Sequence, residues 1–200
     1  MLAAALFAMI AVTPPAGMVK IPAGAYVPVY GEPVQVAAFA LDRMPVTRAE
    51  FQSVAGEDGR RPAVGITWLE AKQYCEARGK RLPTTAEWER AASATPIPEQ
   101  MSLYAMRRFG PNAGLVGRGE RNQFGVADLH GLVWEWTLDF GSVAVGQESS
   151  ADPRFGCGGS ALAAADPRDY AAFMRSAFRG SLKAQYALET LGFRCAKEGT

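Results

Sequence analysis

The sequence predicts a mixed α+β domain with few regular elements and long loops. Three observations carry that expectation. Three helix-start signatures stand between residues 47 and 87, and two alternating apolar stretches before them read as strands. The 21 Gly and 13 Pro make up roughly a sixth of the chain, above the average share, and call for many turns.

In chain order, the first segment is "MLAAALFAMIAVTPPA", residues 1–16, which holds no charged side chain. Its apolar run of about twelve residues is too short to span a bilayer and suits a signal-peptide core. The usual basic start and a clean small-x-small cleavage site are both missing. Two readings stand: an export signal trimmed at its start, or a buried N-terminal segment. Export would permit disulfides. Residues 17–200 then read as one domain, since no internal repeat or clear linker interrupts them.

"GMVKIPAGAYVPV", residues 17–29, alternates apolar residues with turn formers and predicts an edge strand leading into a hairpin. "VQVAAFALDRMPV", residues 34–46, predicts a second strand. Thr47-Arg48-Ala49-Glu50, Thr67-Trp68-Leu69-Glu70 and Thr84-Thr85-Ala86-Glu87 all spell the T-x-x-E capping box. In it the Thr hydroxyl takes the N3 amide while the Glu carboxylate reaches back to the N-cap amide. The second helix, about 67–78, places Trp68, Ala71, Tyr74 and Cys75 on one face, and the third, about 84–94, does so with Trp88, Ala91 and Ala92. Beyond residue 95 the chain is loop-rich. "DYAAFMRSAFRGSL", residues 169–182, fits a helix or a strand, and "LGFRCA" near the end reads as a short buried strand.

Composition narrows function by exclusion. With 48% hydrophobic and 20% charged residues the chain is globular. With 21 Lys and Arg against 20 Asp and Glu, its net charge is +1. That gives no electrostatic case for nucleic acid, or for membrane association beyond the possible N-terminal signal.

Four blocks carry a family resemblance: "VGITWLEAKQYCEARGKRLPTTAEWERAA", "NQFGVADLHGLVWEW", "GGS" and "LGFRC". In this order and spacing, over residues 18–196, they resemble the formylglycine-generating enzyme, or sulfatase-modifying factor, family. The resemblance implies a compact domain related to C-type lectin folds.

It also implies a calcium-binding turn within "DLHGLVWEW", with the Asp128 side chain, the Gly131 and Val133 carbonyls and the Glu135 side chain as ligands. The chemistry is sound, because Ca²⁺ takes six to eight oxygens and Gly131 lets the backbone curl around an ion. Trp134 and Trp136 would anchor the turn, at least one of them in the core. The alternative is a metal-free turn in which both acids accept backbone hydrogen bonds. A second calcium site of the family would fall in "GPNAGLVGRGERN", where no convincing ligand set stands.

The chain has three cysteines, Cys75, Cys157 and Cys195. The resemblance implies a Cys75–Cys195 disulfide; two buried thiols are the alternative. The family's copper(I) site uses two cysteines a few residues after "GGS", and "GGSALAAADPRDYAAFMR" has none. One remaining thiol, Cys157, cannot supply two soft thiolates. It is a weak catalytic candidate: with the single His130 and a methionine such as Met174 it would make a soft copper ligand set, but a partly buried free cysteine explains it as well.

Arg175, Arg179 and Arg194 lie in apolar surroundings. They either pin loops through carbonyls and carboxylates or line a cleft for a peptide or anionic ligand. Asp169 and Tyr170, beside Asp166 and Arg168, fall near the cleft the family would use. The expected function is therefore a divergent member without formylglycine-forming activity, periplasmic or secreted, acting as an accessory factor that binds a protein or peptide. The alternative is a copper-dependent oxidoreductase acting on a peptide thiol through Cys157. A lectin-like ligand binder rests on fold analogy alone.

Overall fold

The computed structural model describes residues 14–28, 32–94, 114–119, 121–141 and 167–199. Alternation at the N-terminus makes β1 (Met18–Ile21), which buries Met18, Val19 and Ile21 and exposes Lys20. It pairs antiparallel with β4 (Phe39–Asp42), setting Met18 opposite Asp42 and Ile21 opposite Phe39. Between them β2 (Gly24–Tyr26) and β3 (Val34–Val36) form their own antiparallel hairpin. The strand expected over 34–46 is therefore two strands in two sheets, with Ala37 and Ala38 carrying the chain from one to the other.

All three capping boxes form. Thr47, Thr67 and Thr84 each accept the N3 amide at 3.2–3.3 Å, and each N3 glutamate accepts the threonine N–H at 2.8–2.9 Å. They open α1 (Arg48–Gln52), α3 (Trp68–Glu76) and α4 (Thr85–Ala92). α1 stops after five residues, where Ser53 turns into the left-handed region at φ 58°. A short α2 (Gly56–Gly59) follows it. The ambiguous segment near residue 170 is helical, α5 (Pro167–Ser181). β5 (Trp134–Glu135) pairs in parallel with β6 (Leu191–Gly192), and β7 (Ala196–Glu198) joins the other edge of β4. The short strand expected in "LGFRCA" is thus shared between two sheets, with Phe193, Arg194 and Cys195 buried between them.

The structure is a mixed α/β arrangement with few regular elements. Its core forms two clusters. One packs Ile21, Phe39 and Leu41 of the β1–β4 sheet against Trp88 and Ala91 of α4 and against Val126. The other gathers Ile66, Ala71, Leu82, Trp136, Leu191 and Phe193 beside α3. The faces expected for α3 and α4 are the ones that turn inward. Cys75 and Cys195 are fully buried and bonded to each other across a sequence separation of 120, tying α3 to the segment before β7. Among the described residues no helix is long and apolar enough to cross a membrane.

Candidate functional site

The segment 128–136 opens with a turn and ends as β5. Asp128 sits at φ 58° and Gly131 at φ 85°, so the backbone reverses twice before the strand. The Asp128 carboxylate accepts the Gly117 and Gly119 N–H groups, the latter at 2.8 Å, and so holds the loop 114–119 against the turn. Glu135 points inward. It accepts Arg194 Nε and Nη2, each at 2.8 Å, and Trp88 Nε1 at 2.7 Å. The Glu135 and Arg194 side chains are both 0% exposed. Arg194 Nη2 also donates to the Ala127 carbonyl at 3.1 Å. Trp136 fills the core and donates to the Ile66 carbonyl at 2.9 Å, whereas half-buried Trp134 stacks on Phe178 at 4.4 Å between centroids.

These partners bear on the calcium assignment. A calcium ion needs oxygens with free lone pairs converging on one point. Here three donors already occupy the Glu135 oxygens and a guanidinium neutralises them, while two amides occupy those of Asp128. As placed, the two carboxylates do not fit the ligand set expected with Gly131 and Val133. Asp128 instead accepts backbone N–H groups, as the metal-free alternative has it, whereas Glu135 accepts side-chain N–H groups of Arg194 and Trp88.

A second buried charge cluster joins α4 to α5. Glu89 accepts Arg175 Nε and Nη2 at 2.8 and 2.6 Å and Arg179 Nη1 at 2.6 Å. The same two guanidiniums lie 5.5 and 4.8 Å from the centroid of the Trp88 ring, and the His130 ring meets that indole edge-on at 6.1 Å. Burial by itself would push the Glu89 carboxyl up, but Arg175 and Arg179 hold it down at about 2. Burial and then the Arg175 charge lower His130 to about 4, against Glu89 and a hydrogen bond with the Ala92 backbone. Burial and Glu89 push the Tyr26 phenol up to about 12. A pKa of about 4 keeps the half-buried His130 imidazole neutral near pH 7.

Of the residues singled out from sequence, Arg175, Arg179 and Arg194 take the structural alternative. All three are committed to internal carboxylates and fasten elements to one another. Asp169 and Tyr170 fall in the first turns of α5, their side chains outside the described residues, as Cys157 is. The copper set of Cys157, His130 and Met174 therefore rests on a residue not described here. Among the described residues no group of three or more His, Cys, Asp or Glu gathers to hold a metal ion. Sequence reasoning missed Glu89. Its signal was an acid beside Trp88 on a helix with an apolar face, matched by two arginines four residues apart in α5.

Comparison with known proteins adds the remaining findings. The sulfatase-modifying factor enzyme 1-like domain model matches residues 4–199. The inactive C-alpha-formylglycine-generating enzyme 2 of Bos taurus is 31% identical over 182 residues, covering 76% of this chain and 58% of that protein. The formylglycine-generating enzyme of Bos taurus is 28% identical over 200 residues, covering 82% of this chain and 53% of that protein. This chain therefore spans little more than half the length of these two relatives. Among solved structures, PvdO from Pseudomonas aeruginosa superposes with a TM-score of 0.56 at 21% identity, covering 91% of this chain and 94% of that one.

Proposed function

The chain belongs to the sulfatase-modifying factor enzyme 1-like domain family, and we propose that it is a divergent member that forms no formylglycine and acts as an exported accessory factor binding a protein or peptide. One observation carries this reading. Two of the three cysteines are bonded to each other inside the core, which leaves a single thiol in the chain. The copper(I) chemistry implied by the family resemblance needs two thiolates that hold the metal while a substrate thiolate completes the site. A lone thiolate lacks the charge and softness of that pair. The internal disulfide also supports an oxidising compartment, in keeping with export.

The arrangement around α5 supports a binding role. The helix starts in the segment where the family's cleft would lie, and Arg175 and Arg179 lock it to Glu89 on α4. An element fixed in this way is pre-organised, which would favour binding beside it because little conformational entropy is lost.

The test is direct. The protein is incubated with copper(I), oxygen and a sulfatase-type peptide, and the peptide is followed by mass. The expected result is no conversion of its cysteine to the aldehyde. Conversion that disappears in Cys157→Ser would overturn the reading in favour of a copper-dependent oxidoreductase working through that thiol.

A further inference from the structure

Several arginines have no internal carboxylate of the kind that holds Arg175, Arg179 and Arg194, and four of them lie near one another. Arg60, Arg118 and Arg121 are exposed and Arg43 is half-buried. Among the described residues none of the four makes a side-chain hydrogen bond or ion pair, and the Arg43 Nε is buried without an acceptor. A buried donor left unsatisfied is uncommon in native proteins.

Backbone contacts bring the four positions close together. The Val116 N–H donates to the Arg60 carbonyl at 3.0 Å, which lays the loop 114–119 beside Arg60. The Ala127 N–H donates to the Arg43 carbonyl at 2.8 Å, and Ala127 is bridged to Arg121. Asp128 clamps Gly117 and Gly119 on either side of Arg118. Met44, 38% exposed, lies at the middle of this patch, because a Cβ added to Gly117 would fall 2.8 Å from its Sδ.

The acids described nearby do not cancel this charge. Asp128 is buried under the two glycine amides, and Asp42 pairs with Lys80 at 2.6 Å. Among the described residues, Glu57 and Asp58 on α2 are the exposed acids beside Arg60, and Asp58 pairs with Arg61 at 3.1 Å; Glu120, between Arg118 and Arg121 in the sequence, lies outside the described residues. Even with Glu57 and the Glu120 of the sequence set against them, four guanidiniums around an exposed methionine leave a local positive excess on a chain of net charge +1.

From this juxtaposition we infer that Arg43, Arg60, Arg118 and Arg121 form a docking surface for a short acidic segment of a protein partner, with Met44 taking an apolar side chain of that segment. Guanidiniums recognise carboxylates through paired, planar hydrogen bonds, and methionine adapts to varied apolar shapes. Glu57 and Asp58 bound the patch and repel a longer polyanion, which favours a short acidic stretch over a nucleic acid or an anionic membrane. Nucleic acids call for an extended basic stripe. The inference does not rest on the segment around α5 and holds whether or not the domain retains catalysis.

The test titrates a short fluorescein-labelled peptide, rich in Glu and Asp with one central leucine, against the full chain. The expected result is saturable binding that weakens on the order of tenfold between about 0.05 and 0.3 M salt. It should be lost in the Arg60→Gln, Arg118→Gln, Arg121→Gln triple variant and kept in Lys183→Glu, a charge change elsewhere on the surface. The three side chains are exposed and unpaired, so the variant should melt as the wild type does. No saturable binding by the wild type, or undiminished binding by a folded triple variant, would overturn the inference. So would tighter binding of an oligonucleotide or of anionic phosphatidylserine vesicles than of the peptide. The peptide-conversion assay does not involve these arginines, so the two proposals stand or fall separately.

Discussion

Glu135 and Arg194 place a full pair of opposite charges where neither side chain meets water. Desolvating such a pair is costly, and it is tolerated because every charged atom finds a partner: Trp88 and the Arg194 fork on the carboxylate, backbone carbonyls on the remaining guanidinium hydrogens. Removing one member strands the other. Arg194→Met should therefore lower unfolding stability by about 3–5 kcal/mol, read from denaturant titration. Because the acids of the 128–135 turn are held by protein donors, a calcium chelator should leave the wild-type Tm unchanged; a clear drop would restore the calcium reading. Glu89 gives a pH prediction. Its carboxyl is depressed to about 2, below its ordinary value of 4.5, so the unfolded chain binds its proton first as pH falls. The stability this cluster supplies is complete above pH 4.5 and drains away as pH falls toward about 2. Glu89→Gln should flatten the stability profile in that window, and a profile as steep as the wild type's would count against the cluster. None of these pairings was legible in the sequence. Glu135 and Arg194 are 59 residues apart, Glu89 and Arg175 86 apart, and nothing local records a partner at that distance.

The helix starts, by contrast, were fully legible, because a capping box is closed by residues three apart. Their energetic weight differs with what each helix buries. α1 contains no buried residue, whereas α4 buries five of its eight, including Trp88 and Glu89. Thr84→Ala should cost about 1 kcal/mol of global stability. Thr47→Ala should frustrate only a peripheral turn and cost less, a difference that paired chemical melts would measure. Equal losses would mean that α1 is better anchored than its burial implies. α5 was ambiguous for a physical reason. Its inward positions Ala171, Arg175 and Arg179 recur every four residues as in a helix, but two of them are arginines, and "AFMRSAFR" alternates well enough to pass for a strand. The split of residues 34–46 into two strands was equally hidden, since both halves alternate and only tertiary pairing decides which sheet each joins.

At the scale of the whole molecule the described loops are held by a few long-range fasteners, since the described sheets have two or three short strands each. The Cys75–Cys195 bridge is the longest covalent one, closing 120 residues, for which the chain-entropy model gives roughly 4–5 kcal/mol. The bridge was foreseen through four blocks in family order, because the spacing of whole motifs survives where individual contacts cannot be read. The sequence left open whether the inward arginines serve as struts or line a cleft; the structure uses Arg175, Arg179 and Arg194 as struts, and it is their carboxylate partners that could not be foreseen. The account rests most heavily on two of three cysteines being committed to each other. Counting reactive thiols in the purified chain under denaturing, non-reducing conditions tests this directly. One thiol per chain is the predicted result, and three would contradict both the bridge and the ligand-count argument against formylglycine formation.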